Sequence, residues 1–134
     1  EELRDRLVLE PRSEIVAYHD PCYLARGRGV TEQPRAALRA SGIDLVEPAR
    51  HGMSVSCCGA GGAQIFIADD KVDVPSERVN HKRFVELAET RATTFAVSCP
   101  YCPIMLNDAA QYANREDIRV VDVAELLVER LPVS

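Results

Sequence analysis

The stretch Ser56-Cys57-Cys58-Gly59-Ala60-Gly61-Gly62 places two adjacent cysteines directly before a glycine-rich run. The other three of the chain's five cysteines are Cys22 and the two of a Cys99-Pro-Tyr-Cys102 motif. Thiolates are soft ligands that suit iron–sulfur clusters, zinc and Cu(I). Glycines lack a Cβ, so the backbone amides of the run can approach a bound group closely. The stretch therefore predicts a fold that brings three separate pieces of chain together around a metal cofactor.

The composition is that of an ordinary soluble domain, and it argues against several classes of protein. The 134 residues suffice for one domain with a core, and the net charge of -5 argues against nucleic acid as a partner. No apolar run approaches the roughly 20 residues that a membrane-spanning helix needs. No signal peptide is visible. We expect a cytoplasmic protein, or one held at the cytoplasmic face of the membrane through segments outside this chain.

The chain begins with Glu1 rather than Met, and we expect it to be the C-terminal part of a longer protein. Residues 1–13 are predicted to be a short lead-in that ends near Pro11. The odd number of cysteines argues against a secreted disulfide scaffold, which would need even pairs. The cysteines therefore point to metal binding or redox chemistry.

Short apolar runs alternate with amphipathic segments along the chain. The apolar runs predict strands, and the amphipathic segments predict helices, at the spacing typical of a mostly parallel sheet flanked by helices. We therefore expect a single α/β domain. The predicted strands are residues 15–19, 43–47, 53–56, 94–98 and 118–123, and the predicted helices are residues 31–40, 63–68, 76–91, 101–112 and 124–131, with a turn or short helix at residues 23–29.

Residues with strong positional preferences mark where the predicted helices begin and end. Thr31 and Ser76 are suitable N-caps, and Gly42 is a suitable left-handed C-cap. Pro100 suits the first position of the helix that follows it. On the helix of residues 76–91, Glu86 is predicted to lie on the solvent side.

The cysteines fall beside the ends of predicted strands and helices. Cys22 follows the first strand after an Asp-Pro turn, and Cys99 follows the strand of residues 94–98. Because parallel sheets hold ligands at the carboxyl ends of their strands, we expect all five sulfurs along one edge of the sheet. The N-terminus of a helix near Cys99 and Cys102 would favour thiolates there.

Three kinds of site remain open from the residues alone. A Cys-x-x-Cys between a strand and a helix is also typical of thiol–disulfide oxidoreductases, in which Cys99 would attack and Cys102 would resolve. A structural zinc module would use four of the five cysteines. The adjacent Cys57 and Cys58 favour an iron–sulfur cluster, because neighbouring thiolates can bind different irons.

The motifs taken together resemble the cysteine-rich CCG domain of the heterodisulfide reductases. The same domain occurs in the iron–sulfur subunits of glycolate oxidase, lactate-utilisation and anaerobic glycerol-3-phosphate dehydrogenase complexes, and in membrane-linked iron–sulfur reductases. The resemblance covers most of residues 1–134, as one such domain. The segments that carry it are His19–Leu24, Cys57–Gly62, Arg78–Arg83, Ser98–Cys102 with Met105-Leu106, and Val121–Leu127.

The resemblance implies an electron-transfer domain with a [4Fe-4S] cluster, which is noncubane in the best-defined member of the family. The implied acceptor is a disulfide, a quinone or a similar compound. The implied partners are a second CCG domain, a ferredoxin-like module and a flavin subunit, and the isolated domain is expected to lack turnover. Carried over residue by residue, the implied ligands are Cys22, Cys57, Cys58, Cys99 and Cys102, with Gly59, Gly61 and Gly62 beside them.

Several other side chains are candidates for lesser roles. His19 could donate to a cluster sulfur, move a proton beside a disulfide substrate, or be purely structural. His81 is predicted to lie on the surface. Tyr23 and Tyr101, each next to a cysteine, would shield the site from solvent or act as proton donors. Arg26, with Arg28, is interpreted as solvated surface, as a docking point for an anionic partner, or as a group that stabilises the cluster.

Overall fold

Four short strands form a parallel sheet at the centre of the domain. A computed structural model describes residues 14–66 and 78–131. Within them the strand order is β2-β1-β3-β4, and every pairing is parallel. This confirms the predicted α/β fold. The strands are β1 (Ile15–Tyr18), β2 (Asp44–Val46), β3 (Thr94–Val97) and β4 (Arg119–Asp122).

Helices cover both faces of the sheet. They are α1 (Cys22–Arg28), α2 (Glu32–Ala40), α3 (Val79–Ala88), α4 (Cys102–Tyr112) and α5 (Val123–Val128). None of the helices in the described residues is both long enough and apolar enough to span a membrane.

Alternate residues of each strand point to opposite faces, so the sheet carries two cores. On one face Ala17 and Phe95 pack with Phe84 of α3 and Leu106 of α4. On the other face Val16, Tyr18 and Ala96 pack with Leu38 of α2 and Leu126 of α5. Because β3 is covered on both faces, all four of its residues are buried. This explains why its last three residues, Phe95, Ala96 and Val97, form an unbroken apolar run.

The predicted strand at residues 53–56 is wrong. Gly52–Ser54 forms a 3₁₀ turn, with Gly52 at φ 57°. The amides of Ser54 and Val55 donate to the carbonyls of His51 and Gly52, so they are not available to a strand ladder. The segment therefore turns towards the cysteines instead of joining the sheet. The predicted helix at residues 63–68 is seen as a kinked 3₁₀ segment, Gly61–Phe66.

The structure tests several of the predicted helix ends. Gly42 has φ 77° and follows the end of α2, as predicted. Thr31 occupies the N-cap position of α2 but makes no capping hydrogen bond with its side chain. Its carbonyl oxygen instead accepts a hydrogen bond from Arg35 Nη1 at 2.6 Å. The helix predicted from residue 101 begins at Cys102, one residue later.

Two predictions about side-chain burial are wrong, and some predicted segments fall outside the described residues. The helical spacing of residues 124–131 predicts that Leu131 faces inward, but this side chain is 40% exposed, so that prediction is wrong. His81 is buried rather than on the surface, because its ring stacks on Tyr112 of α4 with the centroids 4.2 Å apart. Outside the described residues lie the lead-in (1–13), Ser76, and residues 67 and 68 of the predicted helix 63–68.

Candidate metal centre

Cys22 is the first residue of α1, just past the carboxyl end of β1. The backbone reverses at Asp20-Pro21, and the Pro21 carbonyl accepts the first helical hydrogen bond, from Ala25 N, at 2.9 Å. Cys22 is half-buried. Burial raises the pKa of its thiol, and the neighbouring Cys57 and Cys58 raise it further.

A buried ion pair fixes the turn that carries Cys22. Both carboxylate oxygens of Asp20 accept hydrogen bonds from Arg35, each at 2.7 Å. Arg35 also pairs with Glu47 at 2.6 Å, and its guanidinium lies 5.0 Å from the centre of the Tyr18 ring. The amide of Gly52 donates to Asp20 at 2.7 Å. Burial opposes ionisation of Asp20, but the hydrogen bonds from Arg35 and Gly52 prevail and lower its pKa.

A second ion-pair network on α3 fixes the loop before Cys57. Glu86 accepts hydrogen bonds from both the amide and Nε of Arg50, at 3.1 and 2.9 Å. It also accepts from Ser56 Oγ at 3.0 Å and from Arg83 Nη1 at 2.8 Å. Burial opposes ionisation of Glu86, but these donors lower its pKa to about 2. Glu86 is therefore buried and structural, which corrects its predicted solvent position.

Arg26 also holds this loop. Its Nη2 donates a hydrogen bond to the carbonyl oxygen of Val55. The guanidinium therefore ties α1, which begins at Cys22, to the segment that leads into Cys57. None of the interpretations given for Arg26, namely solvated surface, anion docking and cluster stabilisation, includes this contact.

Gly59 permits the tight turn after the cysteine pair. Its φ is 95°, and a Cβ there would lie 3.2 Å from the amide nitrogen of Asn80 and 3.3 Å from Met105 Cε. The glycine is thus required by packing against α3 and α4. Its own amide donates to Cys57 Sγ at 3.3 Å. A Cβ on Gly61 would lie 3.8 Å from Cys57 Sγ, which is an ordinary contact.

Cys99 and Cys102 lie between β3 and α4. Cys102 begins α4 and is buried, whereas Cys99 is half-buried. The sulfurs of Cys58 and Cys102 lie within 4.8 Å of each other. Their interaction lowers the pKa of Cys58 and raises the pKa of Cys102.

Four of the five cysteines line one cavity of about 240 Å³. Cys22, Cys58, Cys99 and Cys102 line it, together with Gly61 and Gly62. Cys57 is half-buried and lies beside Gly61 on the same loop. The chain thus brings residues from three separate segments to the carboxyl ends of β1 and β3. All five thiols are free, and this soft donor set in a mainly apolar cavity fits an iron–sulfur cluster.

Aromatic and aliphatic side chains surround the mouth of the cavity. Tyr23 is 81% exposed, and Tyr101 is also largely exposed. Ile65 and Phe66, from the 3₁₀ segment, complete this side of the lining. Their exposure means that they shield the cysteines from solvent only in part.

His19 lies behind the cysteines and is 1% exposed. Its Nδ1 accepts a hydrogen bond from Arg83 Nε at 2.9 Å. One of its ring nitrogens and the sulfurs of Cys58 and Cys102 lie within 4.8 Å of one another. Burial lowers the pKa of His19. The ring is therefore neutral and belongs to the wall of the site.

Sequence reasoning did not identify Arg35, Arg83 or Glu86 as supports of the site. Arg35 pairs with Asp20 and Arg83 with His19 across long stretches of chain, so no local pattern reports either pair. The one local signal is that Arg83 and Glu86 are three residues apart on α3 and form an ion pair. That spacing is common on exposed helix faces, so it did not indicate burial.

Comparison with known proteins identifies the family. A family model described as a cysteine-rich domain, CCG, matches residues 16–107. The chain is 41% identical over 128 residues to the "Probable membrane-anchored ferredoxin" of Chromohalobacter salexigens, a match that covers 94% of this chain and 18% of that protein. No solved structure gives a significant match.

Two further relatives are named as oxidoreductases. The "Probable iron-sulfur-binding oxidoreductase FadF" of Bacillus subtilis is 34% identical, over 89% of this chain and 17% of that protein. A subunit of the dihydromethanophenazine:CoB–CoM heterodisulfide reductase of Methanosarcina barkeri is 35% identical, over 93% of this chain and 30% of that protein. The chain thus spans less than a third of each of these relatives. The matched region contains all five cysteines, and the chain belongs to the cysteine-rich CCG domain family.

Proposed function

We propose that this chain is the cluster-binding electron-transfer domain of an iron–sulfur oxidoreductase. The observation that carries the proposal is the cavity lined by Cys22, Cys58, Cys99 and Cys102, with Cys57 beside it. Together the five cysteines would hold one [4Fe-4S] cluster, noncubane if all five bind. A bound cluster of this kind supplies reversible one-electron chemistry.

The protein's own groups would set the properties of such a site. The Gly59 amide already donates to Cys57 Sγ, and hydrogen bonds of this kind tune the potential of cluster sulfurs. Hydrogen bonds to Asp20 fix the turn before Cys22, and hydrogen bonds to Glu86 fix the loop before Cys57. These cysteines are therefore positioned before any metal binds.

The relatives suggest how electrons would reach and leave the site. Some are named for quinone or heterodisulfide chemistry, and one is named a membrane-anchored ferredoxin. We propose that a flavin subunit or a ferredoxin-like module delivers electrons, and that a disulfide, quinone or similar compound receives them. A second CCG domain would complete the acceptor pocket, so this chain alone would lack turnover. The assembly would be cytoplasmic or at the cytoplasmic face of the membrane.

A structural zinc site is a second candidate. The cavity lined by Cys22, Cys58, Cys99 and Cys102 is the observation that favours it, since four cysteines can bind one structural zinc ion. A thiol–disulfide oxidoreductase is less well supported, because the thiol whose pKa is lowered is Cys58, which lies outside the Cys-x-x-Cys motif.

Reversible reduction of the reconstituted chain tests the proposal. The chain would be loaded anaerobically with iron and sulfide, reduced with dithionite, and reoxidised with ferricyanide while its visible absorption is followed. We expect broad sulfur-to-iron absorption that bleaches and recovers. Cys58→Ser, kept folded as judged by circular dichroism, is the control and should lose that absorption. A colourless wild-type chain that binds zinc, or that cycles only a dithiol, would overturn the proposal.

A further inference from the structure

His19 is held from one side by an arginine whose own position is fixed. Arg83 is buried and donates from Nε to His19 Nδ1 at 2.9 Å. Its Nη1 donates to Glu86 Oε2 at 2.8 Å and to the Arg50 carbonyl at 2.9 Å. These contacts leave the guanidinium little freedom to rotate away from the imidazole.

This contact determines which ring nitrogen carries the proton. A guanidinium group has donors and no acceptor, so the Nδ1 lone pair of His19 must receive the Arg83 hydrogen bond. The neutral imidazole then has its hydrogen on Nε2. A metal ligand needs a free lone pair on one ring nitrogen, and here neither nitrogen offers one.

The other side of the ring faces sulfur. One ring nitrogen of His19 lies within 4.8 Å of the sulfurs of Cys58 and Cys102. Because Nδ1 accepts from Arg83, the nitrogen that can donate to a sulfur is Nε2. Of the two sulfurs, that of Cys58 opposes the lowering of the His19 pKa by burial, so Cys58 is the acceptor that we assign to Nε2–H.

We propose that His19 is a positioning residue, locked by Arg83 as the Nε2–H tautomer, which donates a hydrogen bond to the Cys58 sulfur and does not bind the metal. An N–H donor withdraws charge from a thiolate ligand and so raises the reduction potential of the cluster it holds. The statement about potential rests on the proposed function, whereas the tautomer and the hydrogen bond do not.

The first experiment determines the tautomer of the His19 ring directly. Nitrogen-15 NMR of the histidine rings, in the reduced chain without iron, distinguishes an Nδ1–H ring from an Nε2–H ring. We expect His19 to be Nε2–H in the wild type and to become a mixture in Arg83→Met, with His51 unchanged as the internal reference. A wild-type Nδ1–H ring would overturn the proposal. If the chain takes up no cluster, the proposed function fails but this result still stands.

The second experiment separates donation from metal binding. His19→Gln keeps a side-chain N–H, whereas His19→Leu removes it. In the iron-loaded chains we expect equal iron content in wild type and both variants. We also expect a lower reduction potential in His19→Leu and a potential close to the wild type in His19→Gln. Loss of iron from folded His19→Gln would show that His19 is a ligand. Equal potentials in all three proteins would show that its hydrogen bond does not act on the cluster.

Discussion

The carboxylate of Asp20 and the guanidinium of Arg35 form a bidentate pair, with both hydrogen bonds at 2.7 Å, beneath the turn that carries Cys22. Both side chains are almost completely buried. The pair joins the end of β1 to α2. The position of the first cysteine therefore depends on two residues that lie outside the cavity.

Arg35→Met should destabilise the domain strongly. It leaves the Asp20 carboxylate buried without its partner, and breaking a buried ion pair in this way costs about 3–5 kcal/mol. Arg39→Met, on the same helix, is the matched control, because Arg39 is 56% exposed and its ion pair with Glu32 spans 3.7 Å. The control should cost about 0.5 kcal/mol or less. Urea denaturation measures both, and similar losses would contradict the importance of the buried pair.

The stability of the domain should fall in acid because of Glu86. Its pKa is about 2 in the folded chain, below its ordinary value, so the unfolded chain takes up the proton first. The stabilisation is therefore complete above about pH 4.5 and is lost as the pH falls towards about 2. The lowered pKa of Asp20 acts in the same direction.

Denaturation of Glu86→Gln across the same pH range checks this origin. The variant should be less stable at neutral pH by about 2 kcal/mol, since hydrogen bonds to a charged group are lost. It should also show a flatter acid profile than the wild type. Glu116→Gln, at an exposed glutamate, should keep the wild-type profile. An unchanged acid profile in Glu86→Gln would assign the pH dependence to other groups.

Two glycine substitutions should have opposite effects. Gly59→Ala must accept φ 95° and a Cβ 3.2 Å from the Asn80 amide, so we expect a loss of about 1–3 kcal/mol. Gly27 lies within α1 with nothing near its Cβ position, so Gly27→Ala should stabilise by about 0.5–1 kcal/mol. Thermal melting of the two variants measures the difference. If Gly59→Ala leaves the melting temperature unchanged, the turn is more flexible than its contacts indicate.

Single Cys→Ser variants should report how many cysteines bind the cluster. If all five bind, each variant should lose iron or change the electron paramagnetic resonance spectrum of the loaded chain. Cys57→Ser is the most informative, because Cys57 lies beside the cavity while the other four line it. A Cys57→Ser chain with wild-type iron content and an unchanged spectrum would limit the ligand set to four.

The parallel sheet could be predicted from the sequence because its strands are short apolar runs with clear ends. Proline after β1 and the glycine after α2 mark these ends without any tertiary information. It could also be predicted that cysteines from three segments lie close together, since parallel strands present their carboxyl ends at one edge of the sheet.

The supports of the site could not be predicted in the same way. Arg83 and Glu86 are charged residues on a helix, and charged residues on helices usually face solvent. Their burial depends on His19, Arg50 and Ser56, which come from distant parts of the chain. The incorrect prediction of a strand at the Gly52–Ser54 turn has a similar origin. The conformation of this turn depends on local carbonyl acceptors and on the Asp20 carboxylate, which accepts the Gly52 amide.

The most direct test of the central claim is a metal and sulfide analysis of the wild-type chain purified and reconstituted without oxygen. Iron, acid-labile sulfide and zinc would be measured on the same sample and divided by the protein concentration. A [4Fe-4S] cluster predicts about four irons and about four sulfides per chain, with little zinc. About one zinc per chain with no sulfide would instead identify a structural zinc site and contradict the account.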